Sequence, residues 1–328
     1  MRRLPGLLVA AMLCGPALAV PEQDSAKQWL EKMTSAEQYL NYEGTFIYIN
    51  GPKVETMQII HGFDEKGERE RITLLTGSSR EIVRDEKHVF SVLPRKKQVI
   101  IEPRRPASEA SAFLDTINGD NTYYDFELNG NEHIANHVCR IVSIFPKDQY
   151  RYGYRLCIDN DTGLLLKSQT LDNSGQPREQ MIFTNLELPD AIPTRHLQTT
   201  LHEKDFELLE SKPLQAAASV VENAWGFSEL LPGFRIIHNE MRQLASAAQP
   251  VQHIVLNDGL ATISVFIAPY EQDEPYSEGV ASSGALNAIS QLKNGHILTI
   301  IGDVPKKTVQ LLAAALTPPE ATATHSPP

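Results

Sequence analysis

CRIVSIFPKDQYRYGYRLC, residues 139 to 157, holds two of the three cysteines in the chain and decides the first fold prediction. Apolar and polar residues alternate on either side of Lys147-Asp148-Gln149, which is typical of two antiparallel strands joined by a turn. With the turn centred on Asp148, Cys139 and Cys157 would lie directly opposite each other, about 4.5–5.5 Å apart at Cα. We therefore predict a structural disulfide. The alternative, a redox-active pair, lacks the Cys-x-x-Cys spacing.

The same register sorts this hairpin into two faces. Cys139 and Cys157 share one face with Ile141, whereas the other face is more apolar and is predicted to be the concave side of a curved sheet. The residues predicted on that concave side are Val138, Arg140, Val142, Ile144, Tyr152, Tyr154, Leu156 and Ile158.

Short β-rich segments alternate with turn residues from Gly44 to about Leu188, which indicates a meander of antiparallel strands. The predicted turns are Asn50-Gly51-Pro52, Asn129-Gly130-Asn131, Asp161-Thr162-Gly163 and Asn173-Ser174-Gly175. Apolar residues at helical spacing predict helices over residues 24–40 and 106–118. A sheet of this size must close or be covered, so we expect an unclosed barrel with helices across its mouth.

The interior of such a barrel is either packed core or the wall of a ligand cavity, and the strand pattern alone fits both. Under the second interpretation the cavity would take a ligand, and the family resemblance described below implies that this ligand is a lipid. The residues assigned to this lipid cavity are Phe46, Tyr48, Val142, Ile144, Tyr152 and Tyr154.

The fold class is therefore mainly β with some α, in two domains. Residues 20–193 are predicted to form the large half-barrel domain, residues 194–215 a linker, and residues 216–316 a smaller α+β domain. In the smaller domain a hairpin is expected around Asn257-Asp258-Gly259, and a helix from Pro305 to Leu316. Residues 317–328, rich in Pro, Ala and Thr, are predicted to be disordered.

The N-terminus predicts export. Arg2 and Arg3 precede an uncharged apolar stretch, and Ala17-Leu18-Ala19 has the small-x-small pattern of a signal peptide cleaved after Ala19. A buried N-terminal helix is the alternative. We expect residues 1–19 to be removed and the remainder to reside in the periplasm, where an even number of cysteines favours a disulfide. The net charge of −11 argues against nucleic acid as a partner.

No catalytic, metal or cofactor signature stands out, and we expect neither an enzyme nor a cofactor. His133 and His137, read as residues of one strand, would be about 13 Å apart and unable to share a metal ion. A group of basic residues in this acidic chain is either a solvated turn and loop or an anchor for lipid phosphates or an acidic peptide. The group comprises Arg95, Lys96, Lys97, Arg104 and Arg105.

Several motifs are specific when taken together: Tyr42-Glu43-Gly44-Thr45-Phe46, Leu231-Pro232-Gly233-Phe234, Asp258 to Phe266, Gly295-His296 and Gly302-Asp303-Val304-Pro305. With these motifs the chain resembles the RseB/MucB family of periplasmic negative regulators of the sigma-E (AlgU-type) stress response. The resemblance implies a LolA/LolB-like lipid-binding domain. It also implies a partner, the periplasmic domain of a membrane anti-sigma factor of the RseA/MucA type, which the regulator shields from a DegS-type protease. Lipopolysaccharide or another lipid would release that partner.

Two other classes of function remain as alternatives. A periplasmic lipid or lipoprotein carrier would need only the large domain, and an enzyme acting on envelope material would need motifs that this sequence lacks. Assembly into a homo-oligomer is left open by the sequence.

Overall fold

The computed structural model describes residues 25–104, 117, 122–199, 206–210, 212–213, 224–244, 249–271 and 276–319. Four predictions lie outside the described residues in whole or in part. They are the predicted signal peptide with Ala19, most of the helix predicted over residues 106–118, Arg105, and residues 320–328 of the predicted tail. In the described ranges, helices are too short or too polar to cross a membrane.

The first domain is built on a large sheet in which twelve strands of the described chain take part. All neighbours are antiparallel except β12 (Glu207–Glu210), which runs parallel to β6 (Gln98–Pro103). The end strands of the sheet, β12 and β7 (Tyr124–Ile134), are not hydrogen-bonded to each other, so the sheet is unclosed. In spatial order the strands are β12 (Glu207–Glu210), β6 (Gln98–Pro103), β5 (His88–Leu93), β4 (Glu81–Arg84), β3 (Gly67–Leu74), β2 (Lys53–Asp64), β1 (Tyr42–Asn50), β11 (Pro177–Glu187), β10 (Leu165–Leu171), β9 (Gly153–Asp159), β8 (His137–Pro146) and β7 (Tyr124–Ile134).

The second domain contains a seven-stranded sheet. Its buried apolar residues form a core of their own, including Ile254, Leu256, Ile263 and Leu298. In spatial order the strands are β13 (Lys212–Pro213), β15 (Arg235–Gln243), β16 (Val251–Asn257), β17 (Thr262–Pro269), β20 (His296–Gly302), β19 (Leu286–Lys293) and β18 (Gly279–Ser283). A short pair, β14 (Gly226–Phe227) and β21 (Leu316–Thr317), joins the two ends of this domain.

Helix α1 (Ala26–Tyr39) begins with a capping box, in which the Ser25 side chain accepts from the Gln28 backbone N–H and the Gln28 side chain accepts from the Ser25 N–H. Its apolar residues recur at helical spacing, and Trp29, Leu30 and Met33 are buried against the sheet. The helix therefore covers part of the concave side, as the sequence predicted.

Helix α2 (Lys306–Ala315) lies in the second domain, and Pro305 is its N-cap residue. Its first turn includes Thr308, whose hydroxyl donates to the Tyr150 carbonyl of the first domain at 2.7 Å. Val309, Leu312 and Ala313 are buried in the core of the second domain. The start of this helix therefore contacts both domains.

The β8–β9 hairpin contains the disulfide between Cys139 and Cys157, with Cα atoms 5.3 Å apart. The predicted register is wrong, however, since Cys139 pairs with Asp159 and Cys157 pairs with Ile141. The two cysteines are diagonal neighbours rather than direct partners. The connection runs from Lys147 to Tyr152 and is centred on Gln149, so each residue keeps its face although its partner changes.

The turn predicted at Asn129-Gly130-Asn131 is also wrong. The β7–β8 hairpin turns at Ala135-Asn136, where both residues have positive φ values (49° and 66°), the signature of a type I′ turn. Asn129 and Gly130 instead form an irregularity within β7, between Leu128 and Asn131. A bulge and a turn attract the same residue types, which is why the sequence pattern misplaced the turn.

The architecture predicted from the sequence is confirmed: an open, mainly β domain precedes a smaller α+β domain. Three of the four predicted turns are present, with Gly51, Gly163 and Gly175 at positive φ. Residues 194–215, predicted as a linker, include a 3₁₀ turn at Thr194–Leu197, and β12 and β13 add to the first and second sheets respectively.

Candidate functional site at the domain interface

The concave face of the first domain carries a cluster of buried apolar residues beneath α1. Val142, Ile144, Leu156 and Ile158 form it from the sheet side, and Tyr154 packs against it. Ile117, the one described residue of the second predicted helix, is helical and fully buried here. We call this group the concave cluster.

The residues predicted to line a lipid cavity fall into three places. Val142, Ile144 and Tyr154 belong to the concave cluster. Phe46 and Tyr48 belong to a neighbouring cluster between β1, β2 and β11. Tyr152 is buried at the domain interface.

Tyr124 connects the concave cluster to the second domain. Its ring is buried in the concave cluster, and its hydroxyl donates to Asp258 Oδ2 at 2.9 Å. Burial, followed by the nearby Asp258 charge, raises the pKa of Tyr124 well above its ordinary value, so the hydroxyl keeps its proton. Leu260, from the second domain, packs against the same cluster. The cluster is therefore shared between the two domains.

Arg151 is a fully buried cation at this interface. Its Nε lies 3.3 Å from Asp148 Oδ1 and 3.4 Å from Asp258 Oδ2, so one carboxylate comes from each domain. Its Nη2 donates to the Pro232 carbonyl of the second domain. A buried arginine held in this way is costly to leave unpaired, so separating the domains is opposed.

Aromatic rings complete the environment of the Arg151 guanidinium. Its Cζ is 4.6 Å from the ring centre of Tyr123, 5.4 Å from that of Tyr124 and 5.0 Å from that of Phe234. Arg151 Nη1 is buried without a hydrogen-bond acceptor among the described residues, and the faces of these rings provide cation–π attraction instead.

Two motifs of the second domain are shaped to meet Arg151. In Leu231-Pro232-Gly233-Phe234, Gly233 has a φ of 83°, and a Cβ there would lie 2.7 Å from the Tyr123 ring. In the turn after β16, the backbone N–H groups of Leu260 and Ala261 donate to Asp258 Oδ1, at 3.0 and 2.7 Å. These bonds leave Asp258 Oδ2 to face Tyr124 and Arg151.

A cavity of about 420 Å³ lies between the two domains, on the side of Tyr152. The Asn287 side chain donates to the Tyr152 hydroxyl at 3.1 Å. The walls of the cavity combine the β10–β11 turn with the β18–β19 turn and the start of α2. Its lining residues are Tyr152, Asp172, Asn173, Ser174, Arg178, Ser282, Gly284, Asn287, Pro305 and Lys306.

The structure separates the predicted group of basic residues. Arg95, Lys96 and Lys97 are exposed in the turn between β5 and β6. Arg104 lies at the other end of β6 and pairs with Glu68, at 2.5 Å between Nη2 and Oε2. Arg104 also donates to two backbone carbonyls. Arg104 is therefore bound by residues of the sheet and its turns. Among the described members of the group, the exposed cations are Arg95, Lys96 and Lys97.

The two histidines once read as residues of a single strand lie on adjacent strands, so the separation of about 13 Å predicted for them is wrong. His133 pairs with Val138, and His137 pairs with Ile134 and lies 3.5 Å from Asp159. Successive residues point to opposite faces, so the two rings do not converge. Within the described residues no group of three or more His, Cys, Asp or Glu side chains could hold a metal ion.

Arg151 and Asp258 were not singled out by the sequence analysis. The sequence pattern predicts only a turn residue at Asp258 and gives no role to Arg151. The available signal was an arginine between two tyrosines, directly after the predicted turn at Lys147-Asp148-Gln149. The second domain also has turn motifs that contain glycine. That signal does not name the partner, because the contact joins residues 107 positions apart between Arg151 and Asp258.

The fold and this interface define a two-domain protein in which an open-sheet domain and a smaller α+β domain share a buried contact. The family model of the MucB/RseB N-terminal domain matches residues 25–201, and that of the MucB/RseB C-terminal domain matches residues 219–317. The chain belongs to the MucB/RseB family.

Relatives match over nearly the whole chain. The sigma factor AlgU regulatory protein MucB of Pseudomonas aeruginosa is 28% identical, over 94% of this chain and 96% of its own length. The sigma-E factor regulatory protein RseB of Haemophilus influenzae is 27% identical, over 90% of this chain and 91% of its own.

Solved structures agree with these sequence matches. MucB in the complex structure of Pseudomonas aeruginosa MucA/MucB superposes with a TM-score of 0.67 at 28% identity, covering 90% of this chain and 99% of that one. The crystal structure of MucB gives a TM-score of 0.62 at 26% identity, covering 89% of this chain and 98% of that one.

Proposed function

We propose that this protein is a periplasmic negative regulator of a sigma-E-type envelope stress response. It binds the periplasmic part of a MucA- or RseA-like membrane anti-sigma factor and shields it from a DegS-type protease. Lipopolysaccharide or a related lipid releases it. The observation that carries the proposal is the likeness, over 90% of the chain, to a MucB that was solved in complex with MucA.

The disulfide supports the proposed location. A bridge between Cys139 and Cys157 persists in an oxidising compartment and is rare in the cytosol. Together with the predicted signal peptide over residues 1–19, it favours the periplasm, where the partner's exported domain resides.

The shared concave cluster supports release by lipid. Acyl chains that enter between the sheet and α1 would contact Val142 and Ile144, and they would have to displace Tyr124 or Leu260. Displacing either residue weakens the contact with the second domain, since Tyr124 bonds to Asp258 and Leu260 belongs to the second domain. Lipid on the concave face and the closed interface therefore oppose each other.

This opposition is the thermodynamic linkage that a release mechanism needs. If the anti-sigma factor binds the closed arrangement and lipid binds the open one, each ligand weakens the other by the same factor. The exposed Arg95, Lys96 and Lys97 supply cations for lipid phosphates on the first domain. The cavity lining proposed for acyl chains is that of the concave cluster, with Phe46, Tyr48 and Tyr152 at its margins.

The interface also separates this function from that of a lipid carrier. A carrier needs a cargo site in the first domain, whereas here the second domain places Leu260 against the concave cluster. A buried ion pair between the domains would couple lipid binding in the first domain to the contact with the second domain.

Reconstituted proteolysis tests the proposal. The mature protein is added to the purified periplasmic domain of the anti-sigma factor and its site-one protease, and the cleavage rate is measured with and without lipopolysaccharide. Slower cleavage with the protein, restored by lipopolysaccharide, is expected. Unchanged cleavage in its presence rejects the regulator, and transfer of lipid to acceptor vesicles without any effect on cleavage would instead assign a carrier.

A further inference from the structure

Sheet edges expose unpaired backbone groups, and three of the four edges of the two large sheets carry features that discourage strand addition. Strand β7 is interrupted by its bulge and carries Asp125 and Glu127. Strand β12 is short and has a glutamate at each end. Strand β13 contains Pro213.

Strand β18 is the fourth edge, and it carries none of these features. Its sequence, Gly-Val-Ala-Ser-Ser over residues 279–283, has no charge and no proline, and all five residues are exposed. Its pairing with β19 is regular along its full length. On its other side the described residues provide no neighbouring strand.

The geometry of the β18–β19 hairpin shows which backbone groups face outward. Gly284, with a φ of 58°, and Ala285 form the turn, and Ser283 pairs with Leu286 directly beside it. In such a hairpin the closing pair is hydrogen-bonded, and bonded pairs then alternate along the strand. Ser283, Ala281 and Gly279 therefore bond to β19, while the N–H and C=O groups of Val280 and Ser282 point to the free edge.

The free edge leads into the cavity between the domains, because Ser282 and Gly284 are part of the cavity lining. The charged residues in that lining are Asp172, Arg178 and Lys306. Asp172 is bound by Arg178, with 2.7 Å between Nη2 and Oδ2. Lys306 begins α2 and is exposed, and among the described charged lining residues it is the cation that is not paired with Asp172.

We propose that β18 binds an extended acidic peptide by strand addition, with a carboxylate of the peptide entering the cavity beside Lys306. The inference rests on the proposed function, since the peptide is then a segment of the anti-sigma factor's periplasmic domain. Glu278 precedes β18 at the end away from the cavity, so the acidic residue of the peptide lies at the Ser283 end. Main-chain bonds supply affinity in this mode, and the carboxylate supplies the register.

Amide hydrogen exchange of the full mature chain tests this directly. On addition of the anti-sigma factor's periplasmic domain, exchange at Val280 and Ser282 should slow at least about tenfold, as in a newly formed ladder. Gly279, Ala281 and Ser283 already bond to β19 and should change less. Unchanged exchange at Val280 and Ser282, in a complex shown to have formed, overturns the proposal.

Matched variants give a second test. Val280→Pro removes an outward N–H and should weaken binding about five- to tenfold, whereas Val280→Thr keeps the N–H and should bind as the parent does. Lys306→Gln should weaken binding about threefold at low salt and less at high salt, and Lys307→Gln serves as its control. Thermal unfolding shows that each variant is folded.

The outcomes distinguish this inference from the proposed function. If the parent protein does not bind the periplasmic domain, the proposed function falls and the assigned peptide falls with it. If the parent binds, and folded Val280→Pro and Lys306→Gln bind equally well, only strand addition at β18 is refuted.

Discussion

The two faces of the β8–β9 hairpin differ in how they are held. On one face Cys139 and Cys157 are covalently joined and are packed with Ile141 and Leu166. On the other face Val142 and its neighbours are covered by separate elements, namely α1, residue Ile117 and Leu260 of the second domain. The first face is joined covalently. The second face, called here the exchangeable face, is held to its cover by noncovalent contacts.

Under the proposed function, one hairpin would serve both stability and regulation. The disulfide would keep the register of β8 and β9 while the opposite face lost or gained contacts. Arg151 lies in the connection between these same strands and pairs with Asp148 and Asp258. Under the proposed function, a change in the cover of the exchangeable face would reach the second domain through Arg151, which lies in the connection of the disulfide-linked hairpin.

The largest expected effect comes from the buried ion pair at the interface. Asp258→Ala leaves the Arg151 charge with one carboxylate and removes two backbone bonds of the turn, which should cost about 3–5 kcal/mol of unfolding free energy. Denaturant unfolding measures it. Asp125→Ala, in an exposed pair with Lys147, is the control and should cost less than about 1 kcal/mol. If both variants lose the same free energy of unfolding, the buried pair at the interface contributes no more than an exposed pair.

Removing the disulfide should lower the free energy of unfolding slightly less than Asp258→Ala does. The double variant Cys139→Ala with Cys157→Ala opens a loop between residues 18 positions apart, which should lower the unfolding free energy by about 3 kcal/mol. Lipid affinity, which depends on the opposite face, should stay within about twofold of the parent's. A large loss of lipid binding in a folded double variant would show that the two faces are not independent.

Removing the Tyr124 hydroxyl, which bonds the exchangeable face to the second domain, should have a smaller effect on the free energy of unfolding. Tyr124→Phe keeps the ring in the concave cluster but removes the bond to Asp258, which should cost about 1–2 kcal/mol. The variant should also release the anti-sigma factor at a lower lipopolysaccharide concentration, because its interface opens more easily. Tyr123→Phe is the matched control. A Tyr124→Phe protein that needs as much lipid as the parent argues against this coupling.

Helix α1 covers part of the exchangeable face and contains Glu37. Through Glu37, the free energy of unfolding should depend on pH. Burial, followed by the neighbouring Glu70 charge, raises the pKa of Glu37 from 4.5 to about 7. The folded state thus binds this proton more tightly, and the stabilisation present below the ordinary pKa is lost as the pH rises through about 7.

Glu37→Gln removes this titration. The free energy of unfolding of the variant minus that of the parent should be larger at about pH 8 than at about pH 5. Denaturant midpoints of both proteins at the two pH values measure this difference. Glu70, whose pKa burial also raises, is present in both proteins. Removing the neighbouring Glu37 charge favours its ionisation, which shifts the comparison in the same direction. A difference between variant and parent that is the same at both values would contradict the pKa assignment.

The smallest effect on stability is expected for the exposed turn. Replacing Arg95, Lys96 and Lys97 with Ala should change the unfolding free energy by less than about 0.5 kcal/mol, since these side chains are exposed. Binding of lipopolysaccharide should nevertheless weaken, and most at low salt. Equal lipid binding by variant and parent would return these residues to a solvated turn.

The sequence predicted what depends on local patterns. Strand alternation, helical spacing in α1 and glycine turns such as Gly163 report on neighbours in the chain, and these elements were located correctly. The disulfide was predicted because both cysteines lie on one hairpin. The register was missed because a turn of several residues can be centred on Asp148 or Gln149 with almost the same pattern.

The interface could not be predicted, because its residues meet only through the tertiary fold. Tyr124, Arg151 and Asp258 come from distant segments, and each has an ordinary local role in a strand, a connection or a turn. Burial is what makes the contact important, and burial of a charged residue is contrary to what its residue type suggests. The interdomain cavity is likewise formed by two turns and a helix start that no pattern links.

Locking the two domains together tests whether they must separate before lipid releases the anti-sigma factor. Asn50 of the first domain and Ser283 of the second have side-chain oxygens 3.3 Å apart. Cysteines at both positions are joined by a short thiol cross-linker in the preformed complex with the anti-sigma factor, and lipopolysaccharide and protease are then added. The account predicts that the cross-linked complex stays protected, while singly substituted Ser283→Cys, treated identically, loses its partner to cleavage. Release from the cross-linked complex at the same lipid concentration would contradict it.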